Sequence, residues 1–271
     1  MEYTIETDTI VLNDAYKKGY LFLGWTTASD DIPQKNKEIK NGTFGNLEFT
    51  AHFEPMTFKI YYDVNGGSQL LESVLICKYN QEYKLALPTR IGYTFEGWYY
   101  ENEKFNNGIW TGLSDIILVA KWSVIDYSIV YNLNGGICDI KLIDKYNYES
   151  DDIIVTKPTK KGYTFVGWKV NDLSDLISNY TIKHNSTGNI ELIAIYEINT
   201  YTITLDVNGG DPLLEDKISV TYDSPFELVV PSRKGYQFEG WYYNTEKVSF
   251  GIWQNDYSII VKAKWIIINY N

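Results

Sequence analysis

One short aromatic phrase is written four times along this chain: GYLFLGWTT at 19–27, GYTFEGWYY at 92–100, GYTFVGWKV at 162–170 and GYQFEGWYY at 235–243. Recurrence at intervals of about 70 residues restricts the chain to a tandem array of very small units, so any function belongs to the array. Other landmarks keep the same order. A D/N-[VL]-N-G-G element stands at Asp63–Gly67, Asn132–Gly136 and Asp206–Gly210, a proline precedes three of the Gly-Tyr pairs (Pro88, Pro158, Pro231), and each copy closes on Ala-x-aromatic at Ala51–Phe53, Ala120–Trp122, Ala194–Tyr196 and Ala263–Trp265.

A longer period lies above the first. Trp25 to Phe53 and Trp168 to Tyr196 are 28 residues apart, whereas Trp98 to Trp122 and Trp241 to Trp265 are 24 apart. Long and short copies alternate, and the wording of 39–54 and 97–110 returns 143 positions later at 182–197 and 240–253. The array therefore reads as a duplicated pair. Its expected divisions are a partial repeat without its first strand at 1–54, repeats at 55–123, 124–198 and 199–265, and the start of a further strand or repeat at 266–271. Both ends read as cuts through a repeat, so a piece of a longer protein is expected.

Hydrophobic residues make up 44% of the chain and charged residues 22%, far from the composition of a disordered chain. The unusual figure is 16% aromatic, with 24 Tyr and 8 Trp. Units of this size bury a modest fraction of their surface, and large rings are an efficient way to build a core in them. The net charge of −11 is spread as −4, −1, −3 and −3 over 1–54, 55–123, 124–198 and 199–271, without a basic patch that would suit nucleic acid or an anionic membrane. No apolar run reaches the roughly 20 residues of a membrane-spanning helix. Cys77 and Cys138 occupy different repeat positions and cannot form a disulfide that recurs unit by unit.

Within a unit the residues predict short strands and turns. Thr57–Val64 and Tyr201–Val207 mix β-branched and aromatic residues, and the Asn-Gly that follows suits a type I′ hairpin turn. Phe95 and Trp98 would face opposite sides of a regular strand; a bulge at the intervening glycine returns both to one side. Phe95/Trp98, Phe165/Trp168 and Phe238/Trp241 are thus the expected core pairs, closed by strands at Ile116–Trp122, Glu191–Tyr196 and Ser258–Trp265. At most one short helix is expected, near Leu173–Ile177.

A strand ending in Asn-Gly-Gly, then PTRIGYTFEGW at 88–98, then LVAKW at 118–122, strongly resembles the Listeria-Bacteroides repeat family, to which the internalin B repeats belong. The resemblance covers three complete copies and one without its start. It implies a mostly β fold (α+β at most), with tandem small β-grasp-like modules arranged as beads on a string. It also implies a bacterial cell-surface or secreted setting, and use as stalks, spacers or adhesive segments rather than catalysts. The third copy departs at Ala194-Ile195-Tyr196, where the others have Ala-Lys-Trp or a relative of it. The family supplies no fixed binding residues to carry over.

Candidate chemistry is sparse. His52 and His184 sit at unmatched repeat positions, without the partners of a metal site or a triad. Asp63 with Asn65 and Asp206 with Asn208 read as turn residues rather than calcium ligands, because Asn132 replaces the aspartate in another copy. Asn-Gly-Gly lacks the Lys-Ser/Thr and the helix of a phosphate loop. Glu149, Asp151 and Asp152 read as a solvated turn. The sharper candidates are Tyr99, Tyr100 and Trp110, which recur as Tyr242, Tyr243 and Trp253 in the short copies only. Exposed, they would form a platform for a host-cell protein or a glycan; packed, they would seal the loop onto the sheet or the junction to the next unit.

The expected function is therefore a monomeric, non-catalytic stalk needing no cofactor or metal, four units of which in line would span about 100 Å. The alternative is an adhesion module using those Tyr and Trp residues.

Overall fold

The computed structural model describes residues 1–269; Tyr270 and Asn271, the end of the stretch expected to begin a further strand, lie outside the described residues. Contacts divide the chain into two units, Met1–Ile125 and Asp126–Asn271. Each unit holds one long and one short repeat, so the division follows the longer period.

The second repeat shows the plan. Its five-stranded sheet runs, in spatial order, Val74–Lys78, Thr57–Asp63, Ile116–Val124, Tyr93–Tyr100 and Glu103–Phe105. The first strand, Thr57–Asp63, lies parallel to the closing strand, Ile116–Val124, and the other neighbours are antiparallel. A two-stranded ribbon of Glu82–Tyr83 with Gly108–Ile109 completes the repeat. The third and fourth repeats build the same sheet around closing strands Ile190–Ile198 and Ile259–Ile267. Ile266 and Ile267, expected to start something new, belong to that last closing strand.

Each aromatic strand shifts register where it passes the closing strand: at Phe22/Gly24, opposite Lys121/Trp122, at Phe165/Gly167 and at Phe238/Gly240. The extra residue puts Phe and Trp on one face. They meet edge to face with centroids 5.5 Å apart for Phe22–Trp25 and Phe95–Trp98, 5.4 Å for Phe165–Trp168 and 5.6 Å for Phe238–Trp241. Trp98, Trp168 and Trp241 are buried, each at the centre of a hydrophobic cluster drawn from a single repeat.

The Asn-Gly turn has the expected backbone but a different task. Asn65 and Gly66 have φ of 44° and 83°, and the pairs at 134–135 and 208–209 match them, as a type I′ turn requires. However, Tyr61 pairs with Val74, so a long loop, not this turn alone, joins the first two strands. The turn instead ties the first strand to the closing one. Asn65 Nδ2 donates to Ala120 O (3.1 Å), Asn134 to Ala194 (3.3 Å) and Asn208 to Ala263 (2.9 Å). The Asp63 carboxylate is used locally, accepting from Asn65 N. Trp122 and Trp265 close the lock by donating from Nε1 to Val64 O and Val207 O, both at 3.0 Å. A Cβ on Gly67 would stand 2.5 Å from the Trp122 ring, which explains the second glycine.

Among the described residues there is no helix. The one expected near Leu173–Ile177 is replaced by an edge strand, Leu176–Ile177, paired with Trp168 and Lys169. So short a segment gains more from joining an existing sheet than from nucleating a helical turn. The first repeat has Tyr20–Thr26 paired with Thr50–Pro55, a single bridge from Trp25 to Gln34, and the ribbon of Ile10–Val11 with Glu38–Ile39. Its buried apolar residues are Phe22 and Ile39, and a polar staple helps hold the loop between them: Asp30 accepts from Thr27 N (2.7 Å), Thr27 Oγ1 (2.8 Å) and Lys37 Nζ (2.6 Å).

Burying an indole of 150–250 Å² at about 25 cal/mol per Å² contributes at most about 4–6 kcal/mol. That is a large share of the roughly 5–15 kcal/mol that holds a domain folded. Trp168→Ala is accordingly expected to cost about 3–5 kcal/mol and to melt the third repeat while sparing the second. Native-state hydrogen exchange checks this: amides of Ile129 and Leu192 should lose protection while those of Ile60 and Leu118 keep it. A uniform loss along the chain would mean that the cores are not separate.

Candidate functional site

The six candidate aromatics divide by the face of the strand that carries them. Alternation along Tyr93–Tyr100 and Tyr236–Tyr243 sends Tyr99 and Tyr242 to the outer face of their sheets. There each phenol ring is half-buried under a lysine of the closing strand: Lys121 Nζ lies 4.0 Å from the Tyr99 centroid and Lys264 Nζ 3.7 Å from that of Tyr242. The Tyr242 hydroxyl also donates to Glu239 Oε1 at 3.2 Å; desolvation first, then that carboxylate, pushes its pKa up. Tyr100 and Tyr243 turn the other way and pack against the cores of their repeats. The Glu101 carboxylate beside Tyr100 raises the pKa of that phenol.

Trp110 and Trp253 are not surface groups at all. They are 3% and 2% exposed and belong to the core clusters of the second and fourth repeats. Trp110 packs against Phe58, Tyr83 and Phe105, and Trp253 stands edge-on to Phe226 at 5.5 Å. Their Nε1 atoms are enclosed without a hydrogen-bond partner, so neither face nor edge is presented to a ligand. Of the proposed platform, only Tyr99 and Tyr242 remain on the outer surface.

Register explains why these tryptophans recur in the short copies alone. Five residues beyond the residue that pairs with, or bridges to, the GW tryptophan from the outer edge of the sheet stand Trp110 (after Phe105) and Trp253 (after Val248). The same count from Ile177 gives Ile182, and from Gln34 gives Ile39. Ile182 and Ile39 are buried like the tryptophans. All four plug the same end of their repeat, a ring where the loops are short and an isoleucine where they are longer.

The polar candidates have local structural partners. His52 Nε2 meets Thr26 Oγ1 at 2.7 Å, and His184 Nδ1 donates to Ser150 O at 3.0 Å. Among the described residues, no three His, Cys, Asp or Glu side chains gather where they could hold a metal ion. Asp152 accepts from Lys183 Nζ and from His184 N, both at 2.8 Å, and Lys183 first, then His184 N, holds its pKa below the usual carboxylate value. That is the opposite of the raised pKa a general acid needs. Cys77 and Cys138 are free thiols whose pKa values burial pushes up, away from reactive thiolate.

Comparison with known proteins bears on this geometry. A family model, the Listeria-Bacteroides repeat domain, matches residues 1–52, 58–121, 127–195 and 201–264. A protein of Evansella cellulosilytica named "Putative Gly-rich membrane protein" is 28% identical over 269 residues, 93% of this chain and 29% of its own length. A second membrane protein by name from that organism is 28% identical over 82% of this chain and 33% of its own. Internalin H of Listeria monocytogenes is 40% identical over 88 residues, 32% of this chain and 15% of its own. The chain thus spans a third or less of the length of each of these three relatives.

Two outcomes test this placement of side chains. Trp253→Ala is expected to destabilise the fourth repeat by about 3–5 kcal/mol, and Tyr242→Ala by under about 1 kcal/mol. Urea unfolding measures both, and equal costs would contradict the division into core and surface. Lys37, followed by the Thr27 backbone and hydroxyl, lowers the Asp30 pKa to about 2. A depressed carboxylate stabilises the fold above its unfolded value, about 3.9, and loses that contribution as pH falls through the folded one. Carboxyl ¹³C titration should therefore place the Asp30 midpoint near 2, with the loop loosening only between about pH 4 and 2; a midpoint near 4 would mean that the staple is not formed.

Proposed function

Because the chain belongs to the Listeria-Bacteroides repeat domain family, we propose that its repeats serve as a non-catalytic, semi-rigid spacer in a bacterial protein of the cell envelope or its exterior. The observation that carries this reading is the joint between repeats of one unit. A single residue separates the strands on either side: Met56 between Pro55 and Thr57, Asn199 between Ile198 and Thr200. Both backbone polar groups of that residue are engaged. Met56 N donates to Gly19 O and Met56 O accepts from Tyr79 N, each at 2.9 Å; Asn199 does the same between Gly162 and Tyr222 at 3.0 Å. A joint with so few free dihedrals bends little, unlike a Gly/Ser linker. The relatives' names, two membrane proteins and an internalin, support the envelope setting.

Adhesion is the second reading, and the outer sheet face favours it. Tyr99 shares that face with Ile117 (59% exposed), and Tyr242 shares its own with Ile260 (65%). The bound partner would be a host-cell protein or a glycan, and it would have to displace or recruit the covering lysines.

Residual dipolar couplings test the spacer: amides of the two repeats within unit 1 should fit one alignment tensor. Two tensors, one of them averaged down, would overturn it. A glycan and host-cell binding screen with Tyr99→Ala/Tyr242→Ala tests the rival; binding by the parent that the double variant loses would establish adhesion.

A further inference from the structure

We propose that the Gly-Tyr pair opening the aromatic strand of the first repeat in each unit is a socket, that the tyrosine just past the second strand of the other repeat of that unit is its plug, and that the like-built socket at Gly235–Tyr236 receives the plug of a further repeat of this kind. The inference stands apart from the spacer reading, since an adhesive array would use the same joints.

The socket is built alike in all four repeats. Tyr20, Tyr93, Tyr163 and Tyr236 donate from their backbone N to the carbonyl three residues earlier, and the glycines between have φ of 77–78°. This is the third position of a type II turn, where only glycine is at ease. The first residue of each turn is a cation set over the tyrosine ring: Lys17 at 4.1 Å, Arg90 at 3.7 Å, Lys160 at 4.3 Å and Arg233 at 3.9 Å. The ring is thereby held in one pose.

Two sockets are seen filled, one inside each unit. The Tyr79 ring lies flat on Gly19, so close that a Cβ there would stand 2.3 Å from it; Tyr222 lies on Gly162 with the matching figure of 2.2 Å. Each plug also meets the socket tyrosine edge to face, at 5.7 Å for Tyr20–Tyr79 and 5.8 Å for Tyr163–Tyr222. Its backbone N–H donates to the linker residue, Met56 or Asn199. Directly after each plug comes a residue at positive φ, Asn80 (55°) or Asp223 (54°), which turns the chain away.

The fourth socket has every part except the plug. Ile268 N donates to Gly235 O at 3.0 Å, as Met56 and Asn199 do at theirs. Among the described residues nothing lies within 4 Å of a Cβ built on Gly235, which is half-buried where Gly19 and Gly162 are buried. Glycine at this position is a demand of the turn and of the incoming ring together. The occupant that fits is a strand end carrying Tyr followed by Asn or Asp, with a free amide for the carbonyl of Ile268.

Ring currents give a direct readout, because protons over a tyrosine face resonate upfield. In the chain as it stands, the α-protons of Gly19 and Gly162 should lie upfield of those of Gly235. Tyr79→Leu and Tyr222→Leu should move the first two back. When a copy of residues 200–267 is joined after Ile268, the Gly235 α-protons should move to the field of the other two, and should not move when the added counterpart of Tyr222 is leucine. The same addition made with residues 57–124 guards against a copy that does not fold. An added repeat shown to be folded by slow amide exchange, with Gly235 unmoved or moved equally by the leucine version, would overturn the proposal.

Discussion

An edge-to-face contact between a phenylalanine and a tryptophan three positions apart on one strand underlies everything else here. A regular strand cannot make it, because an odd separation puts the two rings on opposite faces. The register shift beside each pair resolves the conflict by adding a residue to the aromatic strand. Once both rings share a face, that face becomes the core, and the closing strand supplies its small and branched residues, Leu118 and Ala120 in the second repeat, against it. In the three complete repeats the turn asparagine, Asn65, Asn134 or Asn208, then fastens the first strand to the closing one.

Much of this was legible in the sequence because it depends on local chemistry repeated in order. The paired rings, the bulge, the positive φ at Asn65 and Gly66 and the closing strands all follow from residues within a few positions of one another. What was not legible depends on partners far along the chain. The turn at Asn65 looks like a hairpin connection until its amide is found on Ala120, 55 residues away. Leu176 and Ile177 carry no strand signature of their own and become one because an edge is offered to them.

The choice between an exposed and a packed Trp110 and Trp253, which the sequence left open, has the same origin. Their absence from the long copies sets them apart from the core pairs that every copy shares. In fact each repeat needs something large at that point, and Ile39 and Ile182 supply it where longer loops share the task. The signal that would have found this is the five-residue spacing from the residue paired with the GW tryptophan, which needs the strand pairing before it can be counted. Tyr99 and Tyr242, by contrast, were placed on a different face from Tyr100 and Tyr243 by alternation alone.

The side-by-side, parallel placement of the first and closing strands has a consequence under load. The chain enters a complete repeat through one of these strands and leaves through the other. Tension along the polypeptide therefore tries to slide them past each other, loading the contacts from Ile60–Ile116 to Asp63–Val119 together instead of unzipping them one at a time. Resistance to pulling is then governed by the barrier to that shared rupture, a rate rather than an equilibrium stability.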